Sequence, residues 1–230
     1  LSVEGATFHA PPAQRAAAEE ARRRFVGAQG DTLTLVNVLA AFGERSGSAA
    51  RAWCERHFVN RRTLESAAQI RAQLLEACER LELLPAGEGK LGSGYGAGEG
   101  ARRVAMGVPH LDADSSLALR RALAAAFFLS AAQRQPSGEY LAMVSRQTVN
   151  IHPGSVLFLK RASCVLFNEL LFTSKLYMRD LTQIEAEWLL ELAPQYWGTA
   201  KAAAAAAGGE EAQQPMAISR SGGARPKYGR

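Results

Sequence analysis

The feature that most limits what this chain can fold into is a change in its hydrophobic period. Up to about residue 83, and again from Leu117 to Ala126, apolar residues recur three and four positions apart. Beyond Phe127 they gather in strand-length groups separated by turn signals. The stretch from His152 to Trp197, HPGSVLFLKRASCVLFNELLFTSKLYMRDLTQIEAEWLLELAPQYW, keeps its apolar residues in such groups and its polar residues in the connections. The predicted strands are Phe127 to Ala131, Tyr140 to Val144, Thr148 to Ile151, Val156 to Leu159 and Cys164 to Phe172, with turns at Pro136-Ser137-Gly138 and Pro153-Gly154. Five short strands suit a small closed barrel. Residues 182–193 return to helix, and Ile184, Trp188, Leu189 and Leu192 form the face expected to cover that barrel.

The first third reads as helices. Residues 13–25 are rich in Ala, Glu and Arg, begin after Pro11 and Pro12, and stop at Gly27 and Gly30. Asp31 suits the N-cap of a second helix, whose Leu35, Val36, Leu39 and Phe42 form one stripe that ends at Gly43 and Gly47. A third helix carries Trp53, Cys54, His57 and Phe58 on one face, where His57 reads as a packed or capping histidine. The fourth runs from Thr63 to about Leu83. Its predicted buried face is Leu64, Ala67, Ala68, Leu74, Leu75, Cys78 and Leu81, with Glu65, Gln69, Gln73, Glu76 and Arg80 outward. Four helices with brief connections predict a bundle.

Between Gly87 and Gly107 lie eight glycines, so the segment between the bundle and the next helix, which Asp114 or Ser115 can cap, reads as a flexible insertion. The last 32 positions, with Ala202 to Ala207 followed by glycines and polar residues, read as a disordered low-complexity tail. The expected fold is therefore α+β: a helical bundle at residues 1–84, an insertion at 85–116, a small five-stranded barrel with its closing helix at 117–198, and a tail at 199–230.

Several functions lose support. No apolar run approaches the roughly 20 residues that cross a bilayer, and the opening LSVEGATFHAPP lacks the charge and apolar regions of a secretory signal, so neither membrane insertion nor export is expected. Cys54, Cys78 and Cys164 are odd in number and widely spaced, which predicts buried free thiols rather than a disulfide framework. Cys54 and His57 have the spacing of two metal ligands, but no second pair follows to complete a zinc site. Gly87, Gly89 and Gly92 spell GxGxxG without a strand before them or a helix after. A net charge of +5 suggests polyanions, yet +3 of it falls at residues 201–230, where five basic residues face two acidic ones, leaving +2 for the rest.

Four segments carry a specific resemblance. GDTLTLVNVLAAF at residues 30–42 is similar to the GDHLTLLNVYxxF signature of the helical ratchet-like domain in DEAH-box ATP-dependent RNA helicases. WCERHFVNRRTLESAAQIRAQL at 53–74 is similar to that family's WCxxNFxNxRxLxxAxxIRxQL continuation, and YMRDLTQIEAEWLLELAPQYW at 177–197 resembles its YMRxxTxIxxxWLxExAPxxF ending. LSVEGATFHAPPAQR resembles the segment that enters the ratchet domain. Thr32 departs from the pattern by replacing the usual histidine.

The resemblance implies an RNA-gripping accessory module, in which residues 1–84 are a ratchet-like domain and the barrel at 117–198 is of the oligonucleotide-binding (OB) type, together holding single-stranded RNA beside ATPase domains. The chain contains no phosphate loop, Asp-Glu-Ala-His box or arginine finger, so ATP hydrolysis as the family performs it is not expected here. ATP and magnesium would belong to the parent helicase, and no cofactor, metal ligand or catalytic residue is assigned in this chain. Implied partners are single-stranded RNA, the absent ATPase domains and helicase activator proteins. The implied location is nuclear or nucleolar, or else cytoplasmic. A protein-interaction module that docks activators stays open as the alternative.

Candidate RNA-binding residues are polar groups in the connections of the barrel, Arg146, His152, Lys160, Arg161, Lys175 and Arg179, together with Arg61 and Arg62 in the helical part. Trp188, Tyr196 and Trp197 have helical spacing with Leu189 and Leu192, and so read as packing residues rather than a base-stacking platform.

Overall fold

The computed structural model describes residues 6–83 and 111–198. The GxGxxG segment, nearly all of the predicted insertion and the predicted tail lie outside the described residues.

A 3-10 turn at Pro12–Gln14 leads directly into α1 (Arg15–Arg23). There follow α2 (Asp31–Gly43), α3 (Gly47–His57) and α4 (Arg61–Arg80). Asn60 caps α4, its side-chain oxygen accepting the N–H groups of Arg62 and Thr63. Val38, Phe42, Trp53, Cys54, Val59 and Leu64 form the core of this helical part. His57 is packed against the rings of Phe25 and Trp53, and burial holds its pKa below the usual histidine value. The stripe predicted along the whole fourth helix is buried only in its first half. Leu64 and Ala68 lie in the core, whereas Leu74 and Leu81 are 61% and 68% exposed.

The second part opens with α5 (Ala113–Ala126), capped by Asp112 rather than by Asp114 or Ser115; the Asp112 carboxylate accepts the Ser115 N–H, which holds its pKa low. Seven strands then form one sheet: β1 (Ala131–Arg134), β2 (Tyr140–Ala142), β3 (Thr148–Ile151), β4 (Cys164–Leu166), β5 (Glu169–Phe172), β6 (Leu176–Arg179) and β7 (Thr182–Ile184). Their order is β5-β6-β3-β2-β1-β4-β7, with β3 and β6 parallel and every other pair antiparallel. This corrects the expectation of five strands closed into a barrel: among the described residues there are seven, and the sheet they form is not closed.

Four local expectations fail for identifiable reasons. The strand predicted from Phe127 to Ala131 begins only at Ala131, because the chain first turns, the Ser130 N–H donating to the Phe127 carbonyl. The strand predicted from Cys164 to Phe172 breaks at Phe167 and Asn168, whose N–H groups go to the carbonyls of Ser130 and Arg179. The chain thereby leaves the ladder with β1 and joins the one with β6. Val156 to Leu159 is a run of turns, because the N–H groups of Val156, Leu157 and Phe158 bond to Asp31 and Ser155 rather than to a neighbouring strand. Residues 182–184, predicted as the start of a helix, are β7, and the helix α6 begins only at Ala186 and ends at Leu192.

The sheet is buried on both faces where β1 and β4 meet. Ala132 and Val165 point into one core with Tyr140, Val149, Met178 and Leu181. Ala131, Cys164 and Leu166 point into a second core closed by α5 and α6 through Ala124, Trp188, Leu189 and Trp197. Alternate residues of a strand face opposite sides, so three-residue β4 serves both. Trp188 and Trp197 are thus packing residues, and Tyr196 stacks edge-on against Phe128 and Trp197.

Candidate nucleic-acid interface

The helical part and the sheet are joined at Gly30 and Asp31. Gly30 forms a β-bridge with Thr182, the Asp31 N–H donates to the Leu181 carbonyl, and the Gln183 N–H donates to that of Gln29. The loop before α2 thus docks on β7 as a short strand. Asp31, 7% exposed, is the first residue of α2 rather than its cap, and its carboxylate turns toward the sheet. Oδ2 accepts the Ser155 hydroxyl at 2.6 Å and the Leu181 N–H at 3.0 Å, and Oδ1 accepts the Val156 N–H at 2.9 Å. Arg22 lies 3.9 Å from Oδ1 and donates to the Gly154 carbonyl. Thr32, where the DEAH-box signature has histidine, meets Thr182 through their hydroxyls at 2.9 Å. Beside this junction Asp180 is half-buried, and desolvation together with the nearby Asp31 raises its pKa.

Above the junction lies an open cleft of about 920 Å³. Leu35, Val36 and Leu39 of α2, with Leu64 and Ala67 of α4, supply one apolar wall. His152, Gly154 and Ser155 after β3, Asn168 and Glu169 at the start of β5, and Arg179 and Asp180 supply a polar one. Its charges nearly cancel: Arg22 and Arg179 face Asp31, Glu169 and Asp180, and Arg179 is itself 3.3 Å from Glu169. The cleft is therefore no cationic trough, and it offers hydrogen-bonding edges and apolar surface more than spare positive charge.

The structure does not gather the eight predicted residues into one patch. His152 and Arg179 line the cleft, and Arg61 and Arg62 occupy the first turn of α4 next to its lining residues Thr63 and Leu64. His152 also holds its own turn, its Nδ1 accepting the Gly154 N–H at 3.0 Å, which in the neutral ring places the proton on Nε2. Lys160 reaches back to the helical part and donates to the Ala28 carbonyl at 3.0 Å, so it strengthens the junction. Arg161 follows it in a left-handed turn, φ 48°, and Lys175 lies in the β5–β6 turn. Arg146 sits in the turn before β3, at the opposite end of that strand from His152. Arg61 pairs with Glu65 at 2.8 Å. Among the described residues, the side chains of Arg62, Arg146, Arg161 and Lys175 have no hydrogen-bond or ion-pair partner.

Sequence reasoning missed Arg22 and Asp31. Both looked like ordinary helix residues, since their partners lie 124 to 150 positions away. Of the three thiols expected to be buried, Cys54 and Cys164 are, with burial pushing their pKa up to about 11 and about 12, while Cys78 is half-exposed.

These features define a class: a helical unit and a mixed seven-stranded sheet that share one open cleft. A sequence profile described as oligonucleotide/oligosaccharide-binding (OB)-fold matches residues 119–196. Over 86% of its length the chain is 36% identical to the human ATP-dependent RNA helicase DHX33, covering 24% of that protein. It is 36% identical over 87% of its length to the Arabidopsis thaliana pre-mRNA-splicing factor ATP-dependent RNA helicase DEAH10, covering 26% of it. It is also 32% identical over 83% of its length to the human probable ATP-dependent RNA helicase DHX35, of which it covers 24%. The chain matches a C-terminal region of the DEAH-box RNA helicases, and spans about a quarter of the length of these curated relatives.

Proposed function

We propose that this chain is the RNA-gripping C-terminal module of a DEAH-box ATP-dependent RNA helicase. It would hold single-stranded RNA largely without regard to sequence while the ATPase domains, which lie outside it, supply the motion. Residues 1–84 would act as the ratchet-like unit, 85–116 as an insertion, 117–198 as the OB-fold unit and 199–230 as a tail. The observation that carries this reading is the cleft between α2, α4 and the sheet, with donors and a histidine along one wall and apolar side chains along the other. Unstacked bases and sugar hydroxyls suit such a lining, and phosphates suit the unpaired cations outside it, Arg62, Arg161 and Lys175. Arg146 lies outside this path. ATP and magnesium would be bound by the motor domains. The relative named as a pre-mRNA-splicing factor supports a nuclear or nucleolar setting over a cytoplasmic one.

Fluorescence anisotropy with a labelled oligouridylate tests the proposal. Binding should weaken steeply between low and physiological salt, as counterion release requires. Exchanging Arg62, Arg161, Lys175 and Arg179 for Glu together should lower affinity on the order of 100-fold and flatten the salt slope. Lys160 is left intact because its ammonium holds the junction. Salt-independent binding, or full affinity in the fourfold variant, would refute the assignment.

A second reading, docking of a helicase activator protein, is favoured by one observation. Leu74 in the second half of α4, and Leu81 and Leu83 just past its end, are exposed apolar side chains beyond the lining residues Leu64 and Ala67. A chain that binds no RNA in the same titration would favour it.

A further inference from the structure

The sheet carries an aromatic group beside the cleft that the sequence did not single out. In β6, Met178 is fully buried in the core, so its neighbours Tyr177 and Arg179 project from the opposite face. Register places Tyr177 between Asn150 of β3 and Leu171 of β5, with Glu169 paired opposite Arg179. His152 stands edge-on to the Tyr177 ring, centroids 5.9 Å apart and planes at 80°. His152, Glu169 and Arg179 line the cleft, so Tyr177 lies one step along the same face, about 7 Å from Arg179 by strand rise.

We propose that Tyr177 is the base-stacking residue of this interface, and that an unpaired nucleobase leaving the cleft lies on its ring. The inference rests on the RNA-gripping reading and adds the part of RNA that this face recognises. His152 supports the ring from its edge, which leaves a face for the base. The surroundings favour a nucleotide over a peptide. Asn150, Arg179 and Glu169 can meet the base's polar edge and the adjoining sugar and phosphate, whereas a peptide groove would need more apolar surface than Leu171 provides. Of the aromatics exposed elsewhere, Tyr196 is occupied by Phe128 and Trp197, Phe172 pairs with Leu176 and so projects from the sheet face opposite to Tyr177, and Phe158 lies in the turns after β3, outside the sheet.

The test compares an oligouridylate with an abasic strand of the same length, at one low salt concentration, on the full chain. Tyr177→Ala should weaken oligouridylate binding by roughly 10-fold, and Tyr177→Phe should leave it within about two-fold, as loss and retention of one stacking surface predict. Neither variant should change abasic affinity or the salt slope. A 2-aminopurine placed in the strand should be quenched by the wild-type chain and by Tyr177→Phe, but less by Tyr177→Ala. Equal losses for both strands, or unchanged oligouridylate affinity in Tyr177→Ala, would overturn the assignment while leaving RNA gripping in place. If the wild-type chain binds neither strand, both readings fall.

Discussion

Replacing Asp31 with alanine is expected to destabilise the folded chain by about 3–5 kcal/mol, the usual cost of removing one partner from a buried charged network. The size follows from what the substitution strands. Three donors converge on this carboxylate, and two of them are backbone N–H groups, those of Val156 and Leu181. Leu181 is fully buried, so water cannot readily replace the lost acceptor, and an unsatisfied buried donor costs its desolvation. Asp31→Asn keeps one oxygen of nearly the same shape and should cost less, because only one side of the carboxylate is lost. Thermal denaturation should show the order wild type, Asn variant, Ala variant. A melting temperature of the Ala variant equal to that of wild type would mean that the junction does not depend on Asp31.

Gly30→Ala is expected to be comparably severe, at about 3–5 kcal/mol, for a different reason. Gly30 has φ +144°, a conformation that side chains rarely adopt. A Cβ there would run into the Leu181 carbonyl oxygen and stand 2.9 Å from the Thr182 Cα. Both obstacles are backbone of the strand on which the loop docks, so no side chain can swing aside. The clash can be relieved only by pulling the helical part off β7, which would also withdraw Asp31 from its donors. Gly47→Ala is the useful control: its φ is +57°, but a Cβ there meets nothing within 4 Å, so only the backbone cost of about 1 kcal/mol remains. Equal melting temperatures for the two variants would show that close approach at Gly30 is not what fixes the junction.

Local order was legible where it depends on local chemistry. The four N-terminal helices follow from apolar spacing and from Pro and Gly punctuation, and their boundaries fall within a few residues of those predicted. What a segment does was less legible when its partner is distant. Asp31 has the residue type and position of an N-cap, yet its carboxylate serves Ser155, Val156 and Leu181. For the same reason Val156 to Leu159, apolar enough for a strand, gives its first N–H to Asp31 and becomes a turn. Thr182 to Ile184 was misread because Ile184 and Trp188 stand four apart, as on a helix, and three residues are too few to reveal a period of two. The candidate site was legible as a region and not as a set. His152 and Arg179 face the cleft, but Lys160 is held by Ala28 and Arg61 by Glu65, contacts that residue type and loop position cannot foretell. Tyr177 and Arg179 do show the alternation that could have marked one outward, partly exposed face, with Met178 turned inward between them.

Amide hydrogen exchange, measured with and without a saturating oligouridylate strand, tests most directly whether the cleft is the path of the RNA. Slowed exchange is predicted at residues 152–155, 168–171 and 177–180 on the sheet side and at 61–67 in the first turns of α4. The turn around Arg146 and the second half of α4 should be unchanged. A bound strand that slows exchange only in those last two regions, and leaves both cleft walls as they were, would contradict the account.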